Sequence, residues 1–275
     1  MSIRQRLNRY LLAAALVLAC ASAHAQSFTS EQRGEIERTV KEYLLSHPEL
    51  LLDVMHELDK RQAEEQAKKL RATVMQNSAA IFTSPRQVTL GNPQGDVTVV
   101  EFFDYNCAYC RRAMSDMLDL LKNDGKLKFV LKEFPVLGEG SMQAAQIAAA
   151  VRMQDKTGSK KYLEFHQKLL GGRGQADRAR ALAVAKEVGL DVAQIEKDMT
   201  SDEVKATIEE NFKLAKALGI SGTPSYIVGT DVVVGAVGLD MLKAKVNSAR
   251  CGQATCGDLQ ARSFVFDATS SCPRT

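Results

Sequence analysis

The sequence has no tryptophan and only 6 prolines among 275 residues, and it carries no internal repeat. With 45% hydrophobic and 25% charged residues, this is ordinary globular usage, which excludes a disordered chain and a collagen-like fibre. Six cysteines in a chain of this length are too few for a small cysteine-stapled module. Net charge is also missing where it would matter. The formal +3 comes from Arg4, Arg6 and Arg9; from Gln26 onward, 33 basic residues face 33 acidic ones. Without a basic excess there is no electrostatic case for nucleic acid or an anionic membrane surface. One apolar run stands out, at residues 11–19, and it is well short of the ~20 residues that span a bilayer.

That run belongs to an address. Arg4 to Arg9 give a positive start, Leu11 to Ala19 an apolar core, and Ala23-His24-Ala25 a small-x-small site before Gln26, the three parts of a secretory signal peptide cleaved after Ala25. Lipid attachment at Cys20 is the competing reading, but Leu18 fits the usual motif poorly. An exported chain, read as bound for a bacterial periplasm, meets conditions in which disulfides form and persist.

Composition divides the remainder. In residues 26–80, Thr29-Ser30-Glu31-Gln32 reads as a capping box, with Ile36, Val40, Tyr43 and Leu44 following at helical spacing. Ser46-His47-Pro48-Glu49 ends this helix and starts a second, bearing Leu51, Val54, Met55 and Leu58. Of Asp59 to Arg71, 8 of 13 residues are charged, so the apolar stripe is too thin to bury much within its own domain. Self-association through residues 30–75 is the reading favoured over a solvated linker. Asn77 to Gln94 reads as the boundary to a main domain at 81–250. There, Val97–Phe103 is a continuous apolar run typical of a strand buried on both faces, and a helix and the strand Leu127–Leu131 follow it. Ser141–Leu218 reads as helices, within an insertion spanning about 138–219. Strands Ser225–Val228 and Asp231–Val234 and a helix Asp240–Ala249 come last, giving βαβ, a helical insertion, then ββα.

Cys107-Ala108-Tyr109-Cys110 falls at the junction of the first strand and its helix. Helix N-terminal amides favour negative charge, so the first cysteine ionises more readily, and Arg111 and Arg112 add to that. The thiolate is the nucleophile of disulfide exchange, and two intervening residues let a bridge open and close with little backbone movement. Cys107 would attack and Cys110 resolve. The alternatives are a structural disulfide or half of a zinc site. No second CxxC and no nearby histidine accompany the motif to make up zinc's four ligands. Gly222-Thr223-Pro224 lies before a strand, where a proline cannot join a central ladder. A cis bond there would turn the Thr223 backbone toward the sulfurs, to pair with an extended substrate.

With Glu101-Phe102-Phe103, the Cys107–Cys110 motif, Phe134-Pro135-Val136-Leu137, Gly222-Thr223-Pro224 and Gly235-Ala236-Val237 in this order, the chain resembles the DsbA family of periplasmic thiol–disulfide oxidoreductases over about residues 86–249. Tyr43 to Glu49 look like the N-terminal segment of its ScsC branch, whose members self-associate there. The resemblance implies an α/β thioredoxin fold with an inserted helical domain, preceded by a helical segment, and no cofactor. It makes Thr223-Pro224 the cis-proline loop. It also makes Glu101 a buried acid that relays a proton to or from Cys110. Disulfide-containing or unfolded exported proteins would be the substrates, with a DsbB- or DsbD-like membrane redox partner and a trimeric or dimeric assembly. Lys132 and Glu133 read as strand-end surface charges and His166 as a packed or surface helix residue.

Two departures shift the expectation. The motif dipeptide is Ala108-Tyr109 where strong oxidases have Pro-His, which, with Thr223 before the proline, looks more like the isomerase members. A protein disulfide isomerase is therefore favoured over a DsbA-like dithiol oxidase. A non-catalytic oligomeric surface or copper-sequestering protein is the third reading. The other departure is an extension, residues 251–275, bearing Cys251, Cys256 and Cys272. One bridge pinning this tail to the domain, with one thiol left over, is expected, with a three-thiolate copper site as the alternative.

Overall fold

The computed structural model describes residues 28–256. The signal peptide, Cys20 and Cys272 lie outside that range. The described residues fall into two compact units, divided between Glu64 and Glu65.

In the first unit, α1 (Ser30–Ser46) starts at the expected capping box: Thr29 Oγ1 accepts from the Gln32 N–H at 3.2 Å, and Thr29 N–H donates to Gln32 Oε1 at 3.0 Å. It ends where His47 stacks on Tyr43, with ring centroids 4.3 Å apart. No residue of α1 is buried. Several apolar side chains on α1 and on the first part of α2 (Glu49–Gln76) stay half-exposed or more, among them Val40, Tyr43, Leu52, Val54 and Met55.

The second unit is built on a five-stranded sheet of order β1-β3-β2-β4-β5. Strand β2 (Val97–Phe103) lies at its centre, parallel to β3 (Leu127–Glu133) and antiparallel to β4 (Ser225–Val228). Strands β1 (Val88–Gly91) and β5 (Asp231–Val234) add antiparallel edges. Successive side chains of β2 point to opposite faces. Val99 and Phe103 join one core with α3 (Ala108–Asn123) and α9 (Leu239–Cys251), whereas Val100 and Phe102 join a second core with Val74, Ile81, Leu214 and Ile227. Between β3 and β4 five helices form the insertion: α4 (Glu139–Gln154), α5 (Lys160–Gly171), α6 (Arg178–Glu187), α7 (Val192–Asp198) and α8 (Asp202–Ala217). This is a thioredoxin fold interrupted by a helical domain. Among the described residues, no helix is long and apolar enough to cross a membrane.

Three features differ from the sequence reading. The stretch taken as a boundary contains strand β1, with Val88 and Leu90 buried, and a π-helical turn, Ala79–Thr83, whose Ile81 is fully buried. Gly91 ends β1 at φ +72°, and a Cβ there would lie 2.6 Å from the Leu127 carbonyl oxygen, so only glycine allows the close approach to β3. Second, Lys132 and Glu133 are not surface charges, being 0% and 5% exposed, and as strand neighbours they face opposite cores. Lys132 Nζ donates to the Ala80 carbonyl at 2.8 Å, beside Glu210 at 3.9 Å, and burial brings its ammonium down to about 8. Lys128 Nζ donates likewise to Phe82, so two lysines bond to carbonyls of the π-turn. Third, Cys251 is the last residue of α9 rather than part of a detached tail. It pairs with Cys256 across a Cα–Cα distance of 6.0 Å, closing a loop five positions wide instead of tying distant segments.

Candidate active site

Strand β2 delivers the chain to the site. After Phe103, the buried Asp104 accepts from four donors: Asn106 N–H (2.8 Å), Val136 N–H (2.8 Å), Leu137 N–H (3.0 Å) and Ser141 Oγ (2.7 Å). Asn106 donates to Ser141 Oγ and to the Ala176 carbonyl, each at 2.9 Å, and accepts from Ala176 N–H at 2.7 Å. These bonds fix the loop that ends at Cys107. No signal in the sequence marked Asp104 or Asn106, because their partners outside this loop lie 32 to 70 positions away.

Cys107 is the N-cap of α3. Its sulfur accepts from Cys110 N–H at 3.4 Å, and its thiol donates to the Thr223 carbonyl at 3.2 Å. Thr223-Pro224 is a cis peptide bond, and Gly235 N–H donates to the Pro224 carbonyl at 2.8 Å, joining this loop to the end of β5. Cys107 is 6% exposed and Cys110 fully buried, and both thiols are free. Their ionisation diverges. Hydrogen bonding from the Cys110 side chain pulls Cys107 down from 9.0 to about 5, aided by the Thr223 side chain and by the Cys110 and Tyr109 amides, against the cost of burial. Burial pushes Cys110 far above the usual thiol range, with its bond to Cys107 and the charge of Glu101 adding to the effect.

Glu101 lies on the face of β2 that carries Val99 and Phe103, opposite Tyr226 in the β2–β4 register. It is 4% exposed. Burial raises its carboxyl from 4.5 to about 8, the Cys107 charge adds to this, and hydrogen bonding to Tyr226 opposes it. The structure thus brings Cys107, Cys110, Thr223, Pro224 and Glu101 to one end of the sheet. His166 is buried instead in a polar cluster behind the loop, where burial holds it near 3. Its ring meets Phe103 edge-on at 4.8 Å, and Nδ1 lies 3.3 Å from the Tyr105 hydroxyl. Tyr162 donates to Glu133 Oε1 at 2.6 Å in the same cluster, and burial raises Glu133 well above the usual carboxylate range. The arrangement offers one stabilised thiolate, one fully shielded thiol and one protonated carboxyl, which suits reversible attack on a disulfide.

Comparison with known proteins agrees with this geometry. Residues 98–247 match the DSBA-like thioredoxin domain, and residues 32–65 match the copper resistance protein ScsC N-terminal domain. A thioredoxin-like oxidoreductase from Silicibacter pomeroyi is 46% identical, aligning over 62% of this chain and 96% of its own with a TM-score of 0.59. The thiol–disulfide exchange protein α-DsbA2 from Wolbachia pipientis is 31% identical over 67% of this chain and 97% of its own, TM-score 0.61. A linker-deletion variant of Proteus mirabilis ScsC is 25% identical over 82% and 98%, TM-score 0.61. Curated relatives include the probable disulfide bond formation protein D of Bacillus cereus, 27% identical over 54% of this chain and 72% of that protein. They also include the Na(+)/H(+) antiporter NhaA 1 of Salinispora arenicola, 28% identical over 59% of this chain; the chain spans only 24% of the antiporter's length.

Proposed function

The chain belongs to the DSBA-like thioredoxin domain family, as a thiol–disulfide oxidoreductase of the DsbA and ScsC type, and we propose that within it the protein works as an oligomeric disulfide isomerase of the periplasm. The observation that carries the chemistry is Cys107 as N-cap, lowered to about 5, above a buried Cys110. The Cys107 thiolate attacks one sulfur of a substrate disulfide. That S–S bond breaks as the Cys107–substrate bond forms, and the other substrate sulfur leaves as a thiolate. A second substrate thiolate then attacks the mixed disulfide and frees Cys107, which is isomerisation. Attack by Cys110 instead leaves a Cys107–Cys110 disulfide and a reduced substrate. Once its own carboxyl has released its proton, Glu101 takes the Cys110 proton in that branch, and the Thr223 backbone pairs with the extended substrate beside the sulfurs.

The isomerase reading draws on the Ala108-Tyr109 dipeptide and on the helices of residues 30–75, whose exposed apolar side chains suit association into a trimer or dimer. Exported proteins with wrong disulfides are the substrates, and a DsbB- or DsbD-like membrane protein sets the redox state. A signal peptide cleaved after Ala25 delivers the chain. A dithiol oxidase is the second reading, since a strongly stabilised Cys107 thiolate favours the reduced enzyme and makes its disulfide oxidising.

Reactivation of scrambled ribonuclease tests the proposal. The mature chain is compared with one starting at Glu65, which keeps Val74 and Ile81 in the catalytic unit's core. Reactivation that falls on truncation supports an oligomeric isomerase. Fast oxidation of a reduced peptide without reactivation supports the oxidase. A deletion phenotype rescued equally by Cys107→Ser would refute both and leave a non-catalytic surface or copper-sequestering role.

A further inference from the structure

Around Cys107 the surface departs from the neutral balance of the chain. Arg111 and Arg112 follow it on α3, both exposed, and Arg173 sits exposed on the loop 172–177 between α5 and α6. That loop is clamped against the motif at both ends: Arg111 Nε donates to the Leu170 carbonyl at 2.8 Å, and Asn106 exchanges two hydrogen bonds with Ala176. The Arg112 guanidinium lies 4.5 Å from the centroid of the Tyr109 ring, itself 57% exposed between the two cysteines. Stacking holds the guanidinium plane and leaves its N–H edge free to meet a carboxylate.

The nearest acids do not pair with these charges: Asp116, one turn along α3 from Arg112, and Asp177, four positions after Arg173, form no ion pair with them. None of Arg111, Arg112 and Arg173 joins an ion pair among the described residues. The first turn of α3 holds no acidic residue. Asp104 is buried and engaged by four donors, and Glu101 is buried in the core. On the neighbouring segment, Val136 and Leu137 present half-exposed apolar side chains, and the single acid, Glu139, accepts from Gln143.

We propose that this rim selects among disulfide substrates, favouring a cysteine flanked by acidic side chains. The inference rests on the exchange reading and narrows it: Arg112 on Tyr109, with Arg173 across the motif, sets specificity without touching the reacting sulfurs. Opposite charge at the mouth of the site raises the encounter rate and fixes the flanking residues, whereas a basic flank is repelled.

The test uses the reduced mature chain and three short peptides carrying one cysteine as a mixed disulfide with neutral 4-thiopyridine, flanked by Asp, Ser or Lys. Attack by Cys107 on the peptide sulfur forms the Cys107–peptide bond and releases thiopyridone, which is followed by absorbance. At low ionic strength the Asp peptide should react about fivefold faster than the Lys peptide or better, with Ser between. The spread should shrink at about 0.5 M salt, where screening is nearly complete. Arg112→Glu with Arg173→Glu should invert the order. Equal rates for the three peptides in the wild-type chain would overturn the inference and leave exchange intact. No thiopyridone from any peptide would instead overturn the exchange reading.

Discussion

The Cys107 thiolate should contribute stability to the reduced protein as the pH rises from about 5 toward 9, and Cys107→Ser should remove that contribution. The folded thiol titrates near 5 and a free one at 9.0, so across this interval the unfolded chain binds more protons than the folded chain. Stability from this group is therefore complete above 9 and is lost as the pH falls through 5. Integrated in full, four pH units amount to about 5 kcal/mol. The sulfur borders solvent, where screening weakens such interactions, so we expect about 2–3 kcal/mol. Glu101 tilts the other way. Raised from 4.5 to about 8, it holds a proton in the folded state that the unfolded chain has released, and stability falls over that interval. The two slopes partly cancel in the wild-type curve, which makes the difference between wild type and Cys107→Ser the informative quantity. Removing the Cys107 charge also lets Glu101 ionise more easily, which narrows the difference. Urea unfolding under reducing conditions, at fixed protein concentration and at half-unit steps from pH 5 to 8.5, measures it. Parallel curves for the two proteins, within ~0.5 kcal/mol throughout, would refute a Cys107 thiolate stabilised by the fold.

Glu101→Gln should slow resolution of the mixed disulfide by Cys110 by about 10²-fold and flatten its pH dependence near 8, read by rapid quench and alkylation. Ile81→Ala should cost about 3 kcal/mol in urea unfolding, because it opens a cavity in the core beneath the π-turn; a loss near zero would mean that residues 79–83 are not packed there. Cys251→Ser should cost no more than about 2 kcal/mol, because the closed loop is short, and mass spectrometry of the non-reduced wild type should find the Cys251–Cys256 bridge.

The chemistry was more legible in the sequence than its supports. Val97–Phe103 is a local signal, seven residues with few alternatives, and a CxxC directly after it has a defined physical meaning. Lys132 and Glu133 had no such signal. What makes a buried lysine acceptable is the Ala80 carbonyl 52 positions earlier, and what makes Glu133 acceptable is the Tyr162 hydroxyl 29 positions later. Strand β1 was missed because four residues between Ser84-Pro85 and Asn92-Pro93 look like a linker until β3 is there to pair with them. Helix α7, seven residues with Ile195 alone buried, offers too little periodicity to separate it from its neighbours. Asp104 and Asn106 look like ordinary loop residues, and only the assembled insertion supplies the donors and acceptors that they hold.

The ends of β2 have one more consequence. Cys107 follows its C-terminal end, whereas Arg250, next to Cys251, binds Asp96 at its N-terminal end, with Nη2–Oδ1 at 2.7 Å, and Asp124 at 2.8 Å. Seven strand residues at ~3.3 Å each put roughly 20 Å of sheet between the reactive sulfur and the protein's own bridge. A thiolate poised to open disulfides is thereby insulated from opening the bridge of its own chain. Any scrambling of Cys251–Cys256 must come from another molecule, and so should depend on concentration.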